Sequence, residues 1–94
     1  MRRFVIESAN VTNGVQGVIQ MDRFGVMIVK DMLEAHMNGD FGELCEEDIP
    51  LNEEAIRTNS GMVMSIFPYN EEKIWIITYL GEGGYTTILL PEEY

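Results

Sequence analysis

Ninety-four residues with 46% hydrophobic and 23% charged side chains make one domain with its own core, and exclude wholesale disorder. A formal charge of −10, from sixteen acids against six bases, repels phosphate, which disfavours direct nucleic-acid binding and attachment to anionic membranes. Apolar runs such as Ile74–Ile77 are too short to cross a bilayer, "MRRFVIESAN" lacks a secretory apolar segment, and the lone Cys45 builds neither an internal disulfide nor a zinc cluster; a cytoplasmic protein without cofactors is expected.

"RRFVIES" predicts a short strand with Phe4 and Ile6 on one face and Val5 on the other. Asn13-Gly14 is a strong hairpin signal, yet Val15, Val18 and Ile19 follow at helical spacing behind Thr12 and Asn13, either of which caps helices well. A short helix from about Val15 to Asp22 is preferred. From Val26 to Met37 the positions Val29, Leu33 and Met37 form one row and Ile28, Met32 and His36 the next, with Lys30, Asp31 and Glu34 opposite. That is an amphipathic helix, closed by Asn38-Gly39. A further helix is expected from Asp48 as cap, with Pro50 in its first turn, to about Thr58, where Asn59-Ser60-Gly61 stops it.

"MVMSIF", "KIWIITYL" and "YTTILL" then read as three strands joined by short antiparallel turns. Ile74–Leu80 is apolar on both faces and is therefore placed centrally, with Trp75 and the alternating Met62 and Met64 assigned to the core. The expected fold is α+β: a small antiparallel sheet, including the N-terminal strand, covered by two or three helices.

The stretch "NGDFGELCEEDIPLNEE" holds seven carboxylates and no base in seventeen positions: Asp40, Glu43, Glu46, Glu47, Asp48, Glu53 and Glu54. Counted from Asn38 as a calcium loop, it puts Gly42, Glu43 and Ile49 where an oxygen ligand, a glycine and a bidentate glutamate are required. A solvated acidic surface is the better reading. His36 continues an apolar row and is expected to be half-buried, bonded to a nearby carbonyl or to Asp40. Glu43, Glu46 and Glu47 disfavour a Cys45 thiolate, so Cys45 is read as a small buried or half-buried apolar residue. Ser60 and Ser65 have no evident histidine partner. "GEGG" at 81–84 lacks the lysine and the following helix of a phosphate loop. No enzyme emerges.

His36, Gly39, Asp40, Phe41 and Gly42, then Glu46-Glu47-Asp48, Asn52-Glu53, Trp75–Thr78 and Thr86–Tyr94 together resemble a family of small bacterial "plasmid-related" proteins. The resemblance runs from His36 to Tyr94, and its "TTILLPEEY" terminus is its most specific part. Relatives carry Asp-Arg ahead of Thr-Thr and commonly Trp after Gly-Asp; this chain has "YLGEGGYTT" and Phe41. The family brings no established activity. It implies an origin on plasmids, phages or integrated elements and an accessory or counter-defence role.

The resulting expectation is a non-catalytic interaction protein whose seven carboxylates meet a basic protein surface. Two alternatives stand beside it. One is a DNA mimic that blocks a host defence nuclease, of the anti-restriction or anti-CRISPR type. The other is a metal-dependent hydrolase built on His36, Asp40 and a nearby glutamate. Because "IWIITYL" and "YTTILL" are association-prone and leave a sheet edge, a homodimer through that edge is also expected.

Overall fold

Ile74, Ile76 and Ile88 are completely buried and mark the centre of a computed structural model that describes all 94 residues, Met1–Tyr94. In chain order the elements are β1 (Ala9–Val11), α1 (Asn13–Ile19), α2 (Gly25–Met37), α3 (Ile49–Thr58), β2 (Gly61–Tyr69), β3 (Glu72–Leu80) and β4 (Thr86–Leu89), with a final 3-10 turn over Pro91–Glu93. The fold is α+β. No helix is long and apolar enough to cross a membrane.

The sheet order is β1-β4-β3-β2. Strands β2, β3 and β4 pair antiparallel as expected, and β3 is internal. The N-terminal strand pairs parallel to β4, Ala9 opposite Thr86 and Val11 opposite Ile88, so the sheet is mixed rather than wholly antiparallel. The parallel pairing follows from the long helical connection between β1 and β2, which replaces a hairpin. The strand expected over residues 2–8 is not formed, because only from Ala9 onward does the chain meet an open edge at β4. Its sidedness survives: Phe4 and Ile6 are half-buried and Val5 is exposed.

Thr12, not Asn13, caps α1 through a side-chain oxygen that accepts from Val15 N–H, so Asn13-Gly14 opens a helix instead of closing a hairpin. Helix α2 buries Val29, Met32, His36 and Met37 and ends before Gly39 at φ +89°, a conformation that glycine adopts at no cost. One face of the sheet carries Val63, Ser65, Phe67 and Tyr69 from β2, Ile74, Ile76 and Thr78 from β3, and Thr86 and Ile88 from β4, all buried. Val15 and Ile19 of α1 and Val29 and Met32 of α2 complete the main core against it. A smaller cluster of Phe41, Leu44, Ala55 and Val63 joins the 41–44 loop and α3 to the β2 margin.

Candidate interaction surface

Phe41 and Leu44 are buried while Asp40, Glu43, Cys45, Glu46, Glu47 and Asp48 are exposed, so the loop anchors by its apolar residues and turns its acids outward. Backbone bonds hold it to the outer side of β2: Ile66 N–H donates to Phe41 O at 3.1 Å, and Glu43 N–H to Ile66 O at 2.7 Å. This close approach requires Gly42, at φ +66°, where a Cβ would lie 2.0 Å from Ile66 O. Asp40 accepts from Gly42 N–H at 3.0 Å and shapes the same turn. Asp48 stands at the N-terminus of α3, but its carboxylate makes no capping bond and stays free.

Bases close to this surface divide the seven carboxylates. Glu43 pairs with Lys73, Glu53 with Arg3, and Glu54 with Arg57. Hydrogen bonds from those arginines hold the Glu53 and Glu54 carboxyls below the usual carboxylate range. Asp40, Glu46, Glu47 and Asp48 have no basic partner. Cys45, expected to be at least half-buried, is exposed among them, since Leu44 takes the inward position beside it.

His36 is fully buried rather than half-buried, and Asp40 is not its partner. Its Nδ1 lies 2.6 Å from Ser65 Oγ and its Nε2 3.0 Å from Thr78 Oγ1, which is 2.8 Å from Thr86 Oγ1. Burial pushes its pKa down to about 4, so the ring is neutral at pH 7. A neutral imidazole donates at one nitrogen and accepts at the other, so the four-residue chain runs in one direction from Ser65 to Thr86 or the reverse. Ser65 thus has the histidine partner that the sequence did not suggest, but is itself fully buried and meets no solvent-borne substrate. No three His, Cys, Asp or Glu side chains gather as a metal ion would need, so His36, Asp40 and a glutamate are not brought together. Thr78 and Thr86 also floor a cleft of about 330 Å³ between the N-terminal segment and the Gly81–Gly84 turn, flanked by Glu7 and Glu82.

The opposite face of the sheet went unread in the sequence. Register places Met62, Met64, Ile66, Trp75, Ile77, Tyr79, Thr87 and Leu89 there. Met64 and Ile66 pack at its β2 margin against the cluster of Phe41, Leu44 and Ala55, whereas Trp75, Ile77, Tyr79 and Leu89 belong to neither apolar cluster. Trp75, assigned to the core, is half-buried on this face, and Met62 and Met64 share it while Val63 alone points inward. The signal is present in the apolar odd-numbered positions of β3, Trp75, Ile77 and Tyr79, which make both faces of the strand apolar. Compared with known protein families, with curated proteins and with solved structures, the chain matches none of them.

Proposed function

We propose that the protein is a non-catalytic interaction module that offers the carboxylates of the 40–48 loop to a basic surface on a partner protein. The observation that carries this reading is the exposure of Asp40, Glu46, Glu47 and Asp48 without a basic neighbour, on a loop fixed to the sheet by backbone bonds. A preorganised acidic surface accelerates encounter with a cationic partner and loses affinity as salt rises. Glu43, Glu53 and Glu54 flank it, already paired, and would have to exchange partners to contribute. The resemblance of His36–Tyr94 to plasmid-related proteins supports an accessory role carried on a mobile element. Capture from bacterial lysate by wild type and by the Glu46→Ser, Glu47→Ser, Asp48→Ser variant tests this. The expected partner is lost with the variant and released by salt; capture indifferent to both changes sinks the reading.

A second reading, mimicry of DNA against a host nuclease, draws on charge over the whole molecule: only four of the sixteen carboxylates are in ion pairs. Its check is competition with duplex DNA on a defence enzyme, where no displacement at low salt removes it.

A further inference from the structure

We infer that the uncovered face of the sheet is a dimerisation surface on which a second copy of this chain packs face to face. A solvated face of an antiparallel sheet ordinarily alternates polar with apolar residues. Here the outward positions of β2, β3 and β4 between Met62 and Leu89 are apolar or aromatic apart from Thr87 and Lys73, and Lys73 is spent on Glu43. Tyr85 lies tilted against Tyr79 with ring centroids 5.1 Å apart and Tyr94 meets Trp75 edge-on at 5.5 Å, extending the face at both ends. Ile77 and Leu89 are 3% and 5% exposed, while Tyr79, Tyr85 and Tyr94 stand in solvent at 38%, 56% and 71%.

Charge selects the occupant. None of the sixteen carboxylates is among these outward strand positions, so two bodies of charge −10 meet here without setting acid against acid. A two-fold contact sets the same patch of both copies against itself, and this patch brings only apolar, aromatic and Thr87 side chains beside the paired Lys73. Sheets stacked this way lie about 10 Å apart, and the strand spacing gives this face roughly 400 Å² in projection. With its protruding rings, two copies bury on the order of 1,000 Å², the lower limit for a specific interface, which places the dimer among weak, concentration-dependent ones.

Sedimentation velocity from about 5 µM to 1 mM, together with emission from the single tryptophan, Trp75, provides the test. Expected are concentration-dependent dimers, a blue shift of Trp75 emission as they form, and tighter association as salt screens the like charges. The Tyr79→Lys, Tyr85→Lys variant lowers the net repulsion, yet should raise Kd at least tenfold with its circular dichroism unchanged. Val26→Lys, Met27→Lys, on another exposed apolar patch, makes the same change in net charge and should not raise Kd. If the tyrosine variant does not fold, the wild-type salt series and Trp75 shift decide. A monomer at 1 mM overturns the inference, as does a dimer that persists in the folded tyrosine variant or weakens with salt. Trp75 emission that shifts only when a lysine-rich peptide is added assigns the face to a different partner. The opposite salt dependences of this dimer and of the acidic loop's partner keep the two readings separable.

Discussion

Two buried polar side chains organise the interior, and each does so by hydrogen bonds that an apolar residue cannot replace. Asn52, 3% exposed, donates to Met64 O at 2.7 Å and accepts from Met64 N–H at 3.0 Å, copying the pattern of a neighbouring strand. Asn52→Asp removes the donor and strands Met64 O, so a loss of about 1–3 kcal/mol in denaturant unfolding is expected. His36 gives a pH signature. Its folded pKa of about 4 lies below the ordinary 6.5, so between these values the unfolded chain takes up a proton that the folded chain refuses. Stability therefore falls as pH drops from 6.5 towards 4, by a total of roughly 3 kcal/mol from this group. In His36→Gln that part of the pH dependence should vanish from urea titrations repeated at each pH.

Among the elements, the β2 edge shows how the sheet is closed. Its outward backbone groups are met by Asn52 at Met64 and by the 41–43 loop at Ile66, and Pro68 offers no donor at all. Strand addition by a second chain at β2 is thereby blocked, leaving the three-residue β1 as the open edge for the dimer expected from sequence. Gly42→Ala tests the closure. Its φ of +66° and the 2.0 Å approach to Ile66 O make a loss of more than about 1 kcal/mol the expected outcome, with faster hydrogen exchange at Ile66. The helices and the three C-terminal strands were legible because periodicity, Thr12, Pro50, Gly39 and the Asn59 stop act locally. What was not legible depends on distant partners. The strand at 9–11 exists only because β4 is there, and nothing near Asn52 in sequence announces a bond to Met64. The inward or outward sense of Trp75 is likewise set by which face the helices choose.

For the whole molecule, measuring 38 × 27 × 26 Å, charge is the dominant feature outside the core. Four exposed ion pairs lose strength with salt, but the twelve other carboxylates repel one another and lose that repulsion. The majority decides the sign: Tm at pH 7 should rise between about 10 and 200 mM NaCl, and a fall in differential scanning calorimetry would show that the pairs dominate. The acidic loop was legible as a run of acids, since composition alone marks it. Which of its members stay unpaired was not, because Arg3 and Lys73 reach it from 50 and 30 residues away.

The pairing of Ala9 with Thr86 joins positions separated by nearly the whole sequence. A ribosome adding about 5–20 residues per second needs on the order of 4–15 s to travel from one to the other. Throughout that interval the nascent N-terminal strand has nothing to zip against, so native sheet closure waits until β4 has been made. Until then the emerging chain depends on its helices and its surplus negative charge to stay out of aggregates.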